Sequence, residues 1–113
     1  MAQQPLLNRT YALYEGNVGW SIVTESDGYI IAGGGWSDTF GGHVAIKLLK
    51  LDLSGGVVWK KEYGKIGFGY FAGQTGAFFK SRDGLYTCVG SVQNDSNGQV
   101  DGLFAKFDGL GDT

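Results

Sequence analysis

Four aspartates stand where acid–base chemistry would need carboxylates: Asp27, Asp52, Asp83 and Asp108. They recur in two pairs at a single spacing (83 − 27 = 56 and 108 − 52 = 56), and each keeps its neighbours: Asp27-Gly28 returns as Asp83-Gly84, and Lys50-Leu51-Asp52 as Lys106-Phe107-Asp108. A catalytic carboxylate pair works from unlike environments around one substrate. Carboxylates repeated together with their neighbours instead mark a repeated turn, in which Asp caps its own backbone and Gly accepts positive φ. His43 is the only histidine and Cys88 the only cysteine. One chain therefore supplies no multi-histidine metal site, no intrachain disulfide and no thiolate cluster, and no Ser-His-Asp grouping has independent support. His43 is expected in a loop or at a strand edge.

The stretch from residue 93 to 102, QNDSNGQVDG, places Asp95, Asn97 and Asp101 around Gly98. Oxygen ligands of this kind suit calcium, but the spacing is not that of an EF-hand and the closing Glu is missing. A polar hairpin loop is the expectation. No catalytic, cofactor-binding or metal-ligating residue is thus assigned, no cofactor is expected, and the chain is read as not an enzyme.

Two readings for binding remain. Trp36, beside Ser37 and Asp38 in GGGWSDTFGG, has the makeup of a glycan platform, of a protein anchor, or of packing against a neighbouring sheet. Asn8 and Asn94 head the triplets Asn8-Arg9-Thr10 and Asn94-Asp95-Ser96, which fit N-glycosylation acceptors. The formal net charge of −2 offers no basic surface for phosphates, so nucleic acid is not an expected partner. No run approaches the ~20 apolar residues of a membrane span. The leading MAQQPLLNRT has no signal-peptide character. Either the protein is not secreted by that route or the sequence is a mature or trimmed form, and the latter is the expectation.

Positioning these residues falls to strands. The 113 residues fit one domain, and 21 glycines alongside 42% hydrophobic residues indicate an apolar all-β chain punctuated by turns. In the first copy, residues 21–24, 29–32, 44–51 and 57–63 read as strands, with a long loop over 33–42. In the second, 77–80, 85–89 and 103–107 do so, and no fourth strand follows. Between the anchors, Ala32-Gly33 matches Val89-Gly90 one residue further on (89 − 32 = 57). Ile30-Ile31 and Leu48-Leu49 are apolar on both faces, which calls for sheets covered on both sides. Trp59 is expected in the core.

The segments DGYIIAGG, IKLLKLDLSGGVVWKKEYG and DGLFAKFDGLGD resemble the tandem β-propeller repeat of prokaryotic secreted and cell-surface proteins. Its units read roughly as D-G-G-Y with an apolar run ending in A-G, then K-L-D-x-x-G, then an apolar pair with Trp and a closing Y-G. The resemblance implies two four-stranded antiparallel blades in an extracellular or cell-surface protein. Propellers close with four to eight blades. Two blades, the second one strand short, suggest strand exchange between subunits. Residues 1–15 are read as the exchanged strand, 16–64 as the first blade and 65–113 as the second. Leu6, Leu7 and Tyr11 would meet Leu103 and Phe107 of a neighbour. Phe68, Tyr70 and Phe71, in a stretch four residues longer than its counterpart (83 − 63 = 20 against 27 − 11 = 16), are read as an interface loop. The expectation is a structural protein assembling with itself into a ring or filament. The alternative is a glycan- or protein-binding module that is a fragment of a larger propeller.

Overall fold

The computed structural model describes residues 18–73 and 76–113. Leu6, Leu7, Asn8 and Tyr11 lie outside the described residues. Among the described residues eight strands run β1 (Val18–Glu25), β2 (Gly28–Ser37), β3 (His43–Asp52), β4 (Val57–Tyr63), β5 (Phe68–Ala72), β6 (Phe78–Lys80), β7 (Tyr86–Asn94) and β8 (Val100–Phe107). A 3-10 turn, Asp38–Phe40, joins β2 to β3. The protein is all-β, in two antiparallel sheets. The first is the meander β1-β2-β3-β4. In the second, β5 and β6 lie end to end along one side of β7, and β8 lies on the other.

The four strands of the second sheet therefore fill three positions. β8 pairs with β7, and no described strand pairs with its other edge. The two central hairpins are in equivalent register: Ala32 opposite Leu48 maps onto Val89 opposite Phe104 (32 + 57 = 89, 48 + 56 = 104). Ile30 opposite Lys50 maps in the same way onto Thr87 opposite Lys106.

Three expectations change. Residues 33–37 continue β2 as strand, because Gly33, Gly34 and Gly35 pair in register with Lys47, Ile46 and Ala45 and the chain turns only at Asp38–Phe40. The segment holding Phe68, Tyr70 and Phe71 is not a loop: Phe68–Ala72 pairs with Gly90–Asn94, which satisfies its backbone in a ladder. The extra residues of the second copy sit instead between Ala72 and Phe78, opposite Val89. There Gly73 N–H bonds the Val89 carbonyl at 2.8 Å, and Val89 N–H bonds the Ala77 carbonyl at 2.9 Å. In the first sheet the corresponding place holds a bulge at Trp20, between Gly19 and Ser21. The ladder of the second sheet is thus interrupted at the place where the first sheet has its bulge, with Gly73 and Ala77 both bonded to Val89. Both irregularities face the glycine of the repeated A-G or V-G pair. A Cβ on Gly33 would lie 1.8 Å from the Val18 carbonyl oxygen, and one on Gly90 2.0 Å from that of Phe71.

The repeated aspartate turns are also equivalent in detail. Asp52 Oδ1 accepts from Ser54 N–H at 2.9 Å and Gly56 N–H at 2.8 Å, while Asp108 Oδ1 accepts from Leu110 N–H at 2.9 Å and Asp112 N–H at 3.0 Å. Gly55 and Gly111 hold the positive φ that each turn needs, 88° and 78°.

The core lies between the sheets. Ile30, Ala32, Ile46 and Leu48 of the first meet Phe78, Tyr86, Cys88 and Phe107 of the second. Trp59 packs against this cluster, as expected. Phe107 is 2% exposed, with its ring centroid 4.6 Å from that of Tyr63 and 6.4 Å from that of Phe78. Leu103 and Ala105 line the same side of β8. Expected at an exchange edge, Phe107 commits its side chain to the core, since alternation turns every second residue of β8 inward. Only its backbone edge is left for a neighbour.

Candidate interaction surfaces

The chemistry-bearing residues are engaged in structure. Lys50 Nζ donates to Asp27 Oδ1 at 2.7 Å, and the repeat-equivalent Lys106 pairs with Asp83. Each Asp-Gly turn is thereby tied to the Lys of the following K-L/F-D strand. Lysine contact holds the Asp27 carboxyl below its ordinary range, and Lys106, aided by the Ser81 hydroxyl, holds that of Asp83 at about 2. Asp52 is depressed by its turn hydrogen bonds, those from Ser54 foremost. All are stable anions.

His43, first residue of β3, pairs through Nδ1 with Asp95. Asn97 Oδ1 accepts from Gln99 N–H at 2.9 Å, and Asp101 Oδ1 from Gln99 Nε2 at 3.3 Å. The oxygens of this loop thus close a polar hairpin. Asn94 ends β7, and its Oδ1 accepts from the Ser96 N–H and hydroxyl at 2.9 and 2.8 Å. Among the described residues no group of three or more His, Cys, Asp or Glu converges to hold a metal ion.

Where the sheets meet at one end, the Tyr86 hydroxyl donates to Glu25, which Lys80 Nζ also reaches at 3.1 Å. That hydrogen bond chiefly lowers the Glu25 pKa, while burial first and the carboxylate second raise that of the Tyr86 phenol. Lys47 is buried on the face of β3 turned away from the second sheet, and its Nζ donates to the Trp36 carbonyl at 2.7 Å. Burial pulls its pKa down, opposed by the charges of Glu62 and Asp38. Sequence reading missed this cation, because a lysine in an apolar strand has the same letter whether it snorkels out or is enclosed.

Two surfaces remain open. Trp36, 61% exposed, stands on strand β2 and lines a cleft of about 340 Å³ with Val18, Trp20, Val44, Phe71 and Ala72. Asp38 does not line it. Trp20, overlooked in the sequence, supplies the second indole; its signal was the bulge position opposite the A-G pair. Trp20 also borders a second cleft of about 530 Å³ with Ile22, Ile31 and Phe78.

The other surface is the face of the second sheet turned away from the first. Phe104 is 66% exposed and Val89 40% exposed, directly opposite each other on β8 and β7, with Phe79 and Val100 exposed on the same face. Covered sheets were expected on both sides; on this face Thr87 is buried, while Phe79, Val89, Val100 and Phe104 are exposed.

A two-sheet antiparallel all-β unit with an aromatic cleft, in which no described strand pairs with the outer edge of β8, is the class that this geometry defines. Comparison of the chain with protein-family models, curated proteins and solved structures returns no match in any of the three.

Proposed function

We propose that the protein is a non-enzymatic, extracellular or cell-surface structural protein whose two sheets act as propeller blades and which assembles head to tail with itself. The observation that carries this reading is the edge of β8, which pairs with β7 on one side and with no described strand on the other. An open edge offers a row of backbone donors and acceptors to another chain. In this reading the strand comes from residues 1–11 of a neighbour, with Leu6, Leu7 and Tyr11 laid along β8. The contact is heterologous, so it closes into a ring or runs on as a filament. Three subunits would give six blades and four would give eight, within the usual range.

Mass measurement of the full chain in solution tests it. A defined oligomer or polymer is expected, falling to the monomer on deletion of residues 1–11. A monomeric full chain would overturn self-assembly, and an oligomer surviving the deletion would overturn the role of that segment.

A second reading is favoured by the cleft between Trp20 and Trp36: a glycan-binding module, two indoles with Phe71 being a stacking platform for sugar rings. Glycan-array binding that disappears in Trp36→Ala would establish it. Binding unchanged in that variant would remove the platform from consideration.

A further inference from the structure

Alternation along β3 sends Ile46 and Leu48 into the core between the sheets, and Ala45, Lys47, Leu49 and Leu51 to the opposite face of the first sheet. On a face open to water such side chains stay partly accessible. Here Ala45 is 0%, Lys47 2%, Leu49 2% and Leu51 4% exposed. Phe40 and Gly64 close over Ala45: a Cβ on Gly64 would lie 2.9 Å from Phe40 Cδ2 and 3.3 Å from Ala45 Cβ. Among the described residues no strand lies over Lys47, Leu49 and Leu51, since β2 and β4 flank β3 within its own sheet and β5 packs on its core side through Tyr70 and Ala72. Glu62, opposite Lys47 on β4, has its Oε2 out of solvent with no hydrogen-bond partner among the described residues. Ile22 on β1 is exposed and Ile31 on β2 half-buried, so the cover lies over β3 and does not spread from the β1 edge.

We infer that residues 1–17 of the same chain form this cover, with apolar side chains from among Leu6, Leu7, Tyr11, Leu13 and Tyr14 resting on Lys47, Leu49 and Leu51. The segment joins the sheet at Val18, the start of β1, where Gly19, Gly33 and Gly35 put no side chain on this face. Fully extended, its 17 residues reach up to roughly 56 Å. Crossing from β1 to β3 takes about 10 Å, and Lys47 to Leu51 about 14 Å more. Residues 74–75, tethered between Gly73 and Gly76, are too few for that span. Only Arg9 and Glu15 carry side-chain charge in the segment, which suits an apolar face. The inference goes beyond the self-assembly reading and does not depend on it. A strand seated by its side chains has its backbone free for another chain, so the strand offered to a neighbour's β8 is already in place when the neighbour arrives. That removes an ordering cost from association.

The test is amine footprinting of the full chain, diluted until its mass in solution is that of one chain. Lys47 should resist acylation while Lys106, with 38% of its side chain exposed, is modified. Lys47 modified as fast as Lys106 would overturn the inference, because the cover would then come from another copy. In a chain lacking residues 1–17 but retaining its far-UV spectrum, Lys47 should be modified roughly tenfold faster or more, and protection that survives the deletion would overturn the inference as well. Where the deletion unfolds the chain, methyl NOEs in the full-length monomer decide. Cross-peaks are expected between a leucine of the segment and Leu49 or Leu51, and their absence overturns the inference. A full chain that stays monomeric with Lys47 protected ends self-assembly and leaves the cover standing. An oligomer lost on deletion of residues 1–11, with Lys47 open in the full-length monomer, does the reverse.

Discussion

Phe107→Ala will lower the unfolding free energy by about 3–5 kcal/mol, the range for removing a large aromatic from a packed core. The ring is almost wholly buried and sits between Tyr63 of the first sheet and Phe78 of the second, so its loss opens a gap on both sides of the sheet interface. Ordinary domains have about 5–15 kcal/mol in total. The variant should therefore unfold at a much lower urea concentration with its m value unchanged, and a fall below about 1 kcal/mol would contradict the packing described. A second readout comes from Tyr63. Its phenol is pushed up to about 12 by burial, and its hydroxyl has no hydrogen-bond partner among the described residues. Water entering the gap left by Phe107 should bring the Tyr63 titration back toward the ordinary range near 10.

Gly90→Ala and Gly33→Ala should each cost about 3 kcal/mol, at the upper end of the usual penalty for overpacking. The added methyl carbon would lie 2.0 Å from the Phe71 carbonyl oxygen in one case and 1.8 Å from that of Val18 in the other. Both obstacles are backbone held in a ladder, so no side chain can swing aside. The strands must part, and β5 or the start of β1 should lose hydrogen-exchange protection first. Gly102→Ala is the control: a methyl added there would meet nothing within 4 Å, and the variant should stay within about 0.5 kcal/mol of wild type. Equal effects at Gly90 and Gly102 would refute the close-approach account.

What the sequence made legible was periodic. Asp-Gly and Lys-x-Asp spaced by 56, with one residue gained between them, locate the central hairpins, and those hairpins pair in equivalent register. The core status of Trp59 followed from its repeat position, and the turn role of Asp52 and Asp108 from their neighbours. What stayed hidden depends on partners distant in sequence. Nothing in the letters around Phe68–Ala72 separates an aromatic loop from a strand, because the decision is made by Gly90–Asn94 across the ladder. The lysine partners of Asp27 and Asp83 lie 23 residues away, and the pairing of Trp20 with Trp36 across one cleft depends on a bulge. Alternation reveals that a strand has two apolar faces. It does not reveal which face the neighbouring sheet will take.

Cys88 lies among the residues where the two sheets meet, and burial raises its thiol pKa. While the sheets stay together, this sulfur is out of reach of a thiol reagent. Once they part, it is the one sulfhydryl that the chain can offer. Its rate of modification therefore keeps time for the molecule, each labelled chain being one whose sheets have come apart at least once. Slower labelling at higher protein concentration would report, with no added probe, how long a neighbour holds the pair closed.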